Sequence, residues 1–416
     1  MSYMLDKFAM EAIDFQKDSK LAASIENSLR QVREHKNPQN KHLRSSKLHE
    51  VVKKITGLDV TFNIDEIGLN AYVLVPTIDR NNTVINEWRR GYIRNTDSSR
   101  LLRSNDVIKG TVDFKNSRVT GDFTKIQVSI AVGKEVVMKG SKLTVRGAVT
   151  IIMHEIGHVM SYLEMLGRSL TTNYAMAETT KRLLATNVKD TKYAIMEDFE
   201  EFTGTKITDK EALQDAQSEG ALNVILLSDS VTKSVSDLGT NIYDMRGFEY
   251  LADNFVARHG MAKDLAIALD VLYRNGGSSS YYSTVTHVSV EISKVLGFIL
   301  LGVTVTLLAI FILCSNPLAR EYDKPEKRIA VIRRETSRSL REPGLSKKDK
   351  ERILSDIDEM DRVLSEMKDR VNFYEWIWGN IYPWGRRQKK SVELQQGLEA
   401  MSNNKLFESA ERLRQL

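Results

Sequence analysis

Apolar residues recur every three to four positions from Thr144 to Leu166, which predicts an amphipathic helix with Thr144 as cap and Gly167 as stop. The same spacing predicts a second helix over roughly Tyr243 to His259, ended by Gly260, and a third that runs to about Tyr273 and stops at Asn275-Gly276-Gly277. Period-two alternation marks Ile126 to Val132 as a strand, and shorter strand-like runs cover Val60 to Ile64 and Tyr72 to Val75 before Pro76. The stretch up to about residue 58 reads as helical, broken near Asn37-Pro38, and 170–240 as mixed and mainly helical. Ile353, Ile357, Met360, Leu364, Met367 and Val371 share one face of a helix begun near Ser346, expected to form a hairpin with 326–341.

Val295 to Cys314 departs from this amphipathic pattern, running 20 residues without a charge. As a helix rising about 1.5 Å per residue it reaches about 30 Å, the thickness of a bilayer core, so a membrane-type helix is expected there. Lys and Arg are denser after the segment than before it, which points the C-terminal side to the cytoplasm. No apolar leader precedes the catalytic part, which should then stay on the same side; a re-entrant hairpin or a helix buried in an assembly reconciles the two. The expected location is therefore membrane-associated with a cytoplasmic catalytic part. Phe373 to Lys390 holds three of the four tryptophans followed by basic residues, suited to a membrane interface or to a packed aromatic cluster.

These elements divide the 416 residues into an N-terminal helical region (1–57), a central α+β domain (58–290, with 80–140 read as an insertion), the hydrophobic segment 295–314 and a charged helical region (316–416). Composition adds limits. A hydrophobic share of 42% with 28% charged residues is that of a globular chain, and a net charge of +5 gives no reason to expect nucleic acid as partner. Cys314 is the single cysteine, which excludes an intrachain disulfide and a cysteine-based zinc site.

The candidate chemistry lies in the best-defined helix. His154-Glu155-Ile156-Gly157-His158 matches H-E-x-x-H, and a spacing of four puts both imidazoles on one face, able to share one tetrahedral zinc ion. Glu155, beside the first ligand, can act as general base toward water. Two histidines leave a catalytic zinc one protein ligand short, and the metzincin extension is absent: VMSYLEMLG follows His158. Glu249, in Phe248-Glu249-Tyr250-Leu251-Ala252-Asp253, is the best candidate for the third ligand. Asp253 lies four residues on, so one carboxylate can bind metal while the other orients a ligand histidine.

HEIGH followed by EYLAD resembles the gluzincin group that contains the CAAX prenyl proteases and the bacterial heat-shock membrane proteases. LNAYVLVP (Leu69 to Pro76), LTVRGAVTIIMHEIGH and YDKPEKRIAVIRR (Tyr322 to Arg334) are similar to further segments of that family. The resemblance implies a zincin-like α+β core with an active-site helix and a small sheet. It assigns one zinc ion to His154, His158 and Glu249, the base to Glu155 and the orienting carboxylate to Asp253. The implied activity is endopeptidase hydrolysis of a peptide or protein substrate, with membrane contact through 295–314. The chain departs from the family in its long gap between the two motifs and in carrying Tyr322-Asp323 where histidine is frequent. Tyr322, Arg328 and His287 are therefore the candidates for stabilising the transition-state oxyanion. The strand Ile126 to Val132 is expected either as an edge beside the cleft, able to pair with substrate, or as an ordinary core strand. The competing reading is a non-catalytic structural or interaction protein of a membrane or viral assembly that keeps the fold; it has no physical need for Glu155.

Overall fold

Thr144 opens the central helix: its side chain accepts a hydrogen bond from Gly147 N at 2.9 Å, meeting one of the donors that a helix start leaves unpaired. In the computed structural model, the described residues are 19–74, 83–94, 101, 107–114, 116–238, 245–274, 325–340 and 344–368. They form a mixed α+β structure, mostly helical, with a small sheet.

The chain begins with three helices, α1 (Lys20–Val32), α2 (Asn40–Ser45) and α3 (Leu48–Thr56), followed by strands β1 (Asp59–Asp65) and β2 (Ala71–Leu74). After α4 (Thr83–Arg94) come the two-residue strands β3 (Val112–Asp113) and β4 (Arg118–Val119), then β5 (Gln127–Gly133) and the short α5 (Lys134–Val137). The central helix α6 spans Val145–Leu184 and is followed by α7 (Lys189–Thr203), α8 (Lys210–Asp215) and α9 (Glu219–Leu238). Beyond it lie α10 (Met245–Arg258), α11 (Ala262–Arg274), α12 (Pro325–Ser339) and α13 (Lys347–Lys368).

The main sheet has the order β1-β5-β2, with β1 parallel to β5 and β2 antiparallel to it. The strand expected as a possible cleft edge is thus the central one. Its last four residues, Ile130 to Gly133, are all buried, as a strand with neighbours on both sides requires. The stretch 80–140, read as an insertion, carries this strand and so supplies the middle of the sheet. Among the described residues β2 is an outer strand, and it packs on α6.

Two expectations are corrected here. Gly167 does not stop the central helix, which spans 40 residues in all, from Val145 to Leu184, before its cap at Ala185. A single interior glycine costs only about 1 kcal/mol, and tertiary packing outweighs it: α6 carries the helices α7, α9, α10 and α11 against it. The membrane-spanning helix is likewise not supported, because no helix among the described residues is long and apolar enough to cross a membrane. Even α6, the longest described helix, is interrupted by His154, Glu155, His158, Glu164 and Glu178. The segment 295–314, on which that expectation rested, lies outside the described residues, as does the aromatic stretch Phe373 to Lys390.

Near its C-terminal end the described chain forms a helical hairpin. Ile353, Ile357, Met360 and Met367 are buried on one face of α13, as their spacing requires, while Val371 lies outside the described residues. Ile329 and Ile332 of α12 are buried too. Arg333 forks onto Asp361 at 2.6 and 2.9 Å, joining the two helices. Lys263–Asp356 at 3.0 Å and the Arg352 bond to Gly260 O at 3.2 Å join α13 to the α10–α11 corner.

Candidate metal centre

Helix α6 presents His154 and His158 one turn apart, both 3% exposed, with their ring centroids 4.5 Å apart and nearly perpendicular. Helix α10 faces them with Glu249 and Asp253, also one turn apart and buried. Close approach of the two helices depends on Gly157. A Cβ there would stand 2.9 Å from Ala252 Cα and 3.0 Å from Phe255 Cβ, so only glycine lets the backbones meet at this distance. Gly157 and Ala252 lie within the two motifs, next to the residues that must converge.

One donor atom each from His154, His158 and Glu249 lies within 4.8 Å of the others, and this buried group could hold a metal ion. Glu249 bridges the histidines: its Oε2 is 3.1 Å from His154 Nε2 and its Oε1 3.3 Å from His158 Nε2. Asp253 Oδ1 stands 3.0 Å from His154 Nδ1. Despite these distances neither ring nitrogen of His154 makes a well-directed hydrogen bond, and His158 Nδ1 and Glu155 Oε2 have no partner either. Four orphaned polar atoms in one buried cluster are costly unless something meets them.

The electrostatics point the same way. Glu155, Glu249 and Asp253 bring three buried acidic groups together against one permanent cation, Arg328, a surplus of acid that a divalent cation would offset. Burial works against charge on His154, but the adjoining Asp253 and Glu249 carboxylates prevail and push its pKa up to about 10. Burial raises Glu249 and Asp253 as well, and is overcome: His158 and Arg328 hold Glu249 well below the usual carboxylate range, and Arg328 and His154 lower Asp253. Glu155 behaves oppositely. Burial dominates and pushes its pKa up, against the pull of the two histidines. The two kinds of carboxylate are thereby separated: two held as anions, and one able to take a proton.

Arg328, from α12, completes the cluster. Its Nε and Nη2 donate to Asp253 Oδ2 and Oδ1 at 2.8 and 2.5 Å, and Nη2 is 3.3 Å from Glu249 Oε2. Six of the residues singled out from the sequence therefore meet in one place: His154, Glu155, His158, Glu249, Asp253 and Arg328. Tyr322 and His287 lie outside the described residues. The spacing of motifs did not reveal Gly157 as the contact between the helices, although its position inside H-E-x-x-H was a readable signal. The chain matches no protein-family model, no curated protein and no solved structure, so the chemistry of the centre rests on its own geometry.

Proposed function

We propose that the chain is a zinc-dependent endopeptidase with a gluzincin-type centre, in which His154, His158 and Glu249 hold the metal. The observation that carries this reading is the convergence of the three donors with an unpartnered Glu155 carboxylate oxygen beside them. Two imidazoles and one carboxylate form a donor set suited to zinc, and leave a fourth position for water or substrate. Zinc bound there would supply Lewis acidity toward a peptide carbonyl and make a neighbouring water more acidic. Glu155, beside the metal ligands, would take the proton from the attacking water and pass it to the leaving amine. Asp253 fixes the orientation of the His154 ring from the far side.

The outer strand β2 supports a peptide as substrate. Among the described residues it pairs with β5 alone, and it packs on α6, the helix that carries both histidines. An extended peptide adds to this edge through main-chain hydrogen bonds, which bind any sequence of suitable length. Elemental analysis of the purified protein beside H158A tests the metal: one zinc per chain, lost in the variant, is expected. Glu155→Gln should keep that zinc and lose hydrolysis of a quenched peptide library. Wild-type protein that takes up no zinc, or an E155Q variant that cleaves normally, contradicts this function.

A further inference from the structure

The geometry points to Arg328 as a positioning residue of the metal centre, through which the hairpin α12–α13 fixes the ligand set. This inference rests on the proposed zinc site and deepens it.

Arg328 is buried, and its fork is already engaged. Nε and Nη2 close a bidentate pair with Asp253 at 2.8 and 2.5 Å, the arrangement in which guanidinium and carboxylate match in both charge and shape. The Asp253 oxygen that receives Nη2 is the one that stands 3.0 Å from His154 Nδ1. The same Nη2 lies 3.3 Å from Oε2 of Glu249, the oxygen nearest His154 Nε2. One guanidinium therefore borders both carboxylates of α10, and each carboxylate borders a different nitrogen of the same histidine. A side chain so placed acts on the ligands from behind. It sets the direction of Asp253, which sets the tilt of His154.

The source of this residue matters. Arg328 follows Asp253 by 75 positions, on a helix that belongs to a separate hairpin. That hairpin is held on the α10–α11 corner by Lys263–Asp356 and by the Arg352 bond to Gly260 O, and internally by the Arg333–Asp361 fork. All three metal donors lie on α6 and α10, so the ligands can be present without α12. Their alignment cannot. Docking of the hairpin and tight zinc binding are thus one linked equilibrium.

The test is a double-variant cycle on zinc affinity, measured by competition with a chromogenic chelator on the full chain, with no activity assay. R328M and D253N are each expected to weaken zinc binding by about 10–100-fold, the scale for partners that orient metal ligands. Because Arg328 acts through Asp253, the R328M/D253N double variant should bind about as weakly as either single one. R328K keeps the charge without the fork and should stay closer to R328M than to the wild type. If R328M alone fails to fold, the double variant, which removes both halves of the Arg328–Asp253 pair, is compared with D253N and should match it. Wild-type affinity in R328M, full recovery in R328K, or losses that multiply in the double variant overturn the inference. Wild-type protein that binds no zinc overturns the proposed centre itself, which separates the two failures.

Discussion

Adding one methyl group at Gly157 offers the sharpest check on how the centre is assembled. The new Cβ of a G157A variant would stand 2.9 Å from Ala252 Cα, 3.0 Å from Phe255 Cβ and 3.2 Å from Ala252 O. Carbon atoms pack at about 3.5–4.0 Å, so α10 must retreat by about half an ångström to one ångström. The nearest atom is backbone, in a fully buried residue, and no side-chain rotation relieves it. Overpacking of this kind costs about 1–3 kcal/mol, while replacing a helix-interior glycine by alanine returns about 1 kcal/mol. Net destabilisation of zinc-free protein is therefore expected at up to about 2 kcal/mol, and the variant should fold. Zinc binding should suffer more. Glu249 and Asp253 ride on the displaced helix, and metal–ligand distances tolerate only about ±0.2 Å, so an affinity loss of about 10-fold or more is expected. Thermal melts of the zinc-free protein and chelator competition separate the two effects. Gly220→Ala is the control, since a Cβ there meets nothing within 4 Å. A G157A variant with wild-type zinc affinity would show that the α6–α10 approach at this residue does not set the ligand geometry.

Two further variants probe the frame around the centre. His259 is wedged between Ser19 and Ser117, its Nε2 2.8 Å from Ser117 Oγ; burial, and then the charge of Arg258, push its pKa down to about 4. The folded state then binds fewer protons than the unfolded state between pH 4 and about 6.5. This site's stability is complete above pH 6.5 and falls by about 3 kcal/mol as pH drops to 4. Urea midpoints of H259Q should lose that component, and curves parallel to the wild type across the window would contradict it. At Gly133, whose N–H donates to Asn70 O at 2.7 Å, an added Cβ would lie 2.0 Å from Gly68 O and 2.6 Å from Asn70 O. G133A should therefore lose about 3 kcal/mol through overpacking and a broken hydrogen bond, visible as a lower melting temperature; an unchanged melt would refute the crowding.

Much of the centre was legible because it is written in local spacing. His154 and His158, like Glu249 and Asp253, are four apart on strongly periodic helices, so their shared faces follow from helix geometry alone. That the two faces meet required a third dimension, supplied by Gly157 against Ala252. The sheet was less readable. Alternation marked β5 as a strand, but strand order depends on pairings between distant residues, such as Val60 with Val128, that no local window contains. Gly167 misled for a related reason: a glycine ends a helix only where nothing beyond it packs, and α7 and α9 pack on the continuation of α6. Arg328 was legible as a candidate oxyanion stabiliser within the Tyr322 to Arg334 segment, not as the partner of Asp253. Its fork onto Asp253 belongs to a docking of helices that no sequence window spans.

The order β1-β5-β2 has a consequence for how the protein is made. β1 ends at Asp65 and β2 starts at Ala71, close enough to suggest a hairpin, yet the two strands do not pair with each other in the sheet. Each must wait for β5, whose last residue is Gly133. During synthesis at about 5–20 residues per second, the first two strands stay unpaired for several seconds while the intervening chain emerges. Their backbone groups and the apolar side chains of Val60, Phe62 and Val73 are exposed to wrong partners throughout that interval. The topology thus delays completion of the sheet until its middle strand has emerged, and pairings about 55 to 70 residues apart in sequence set the pace.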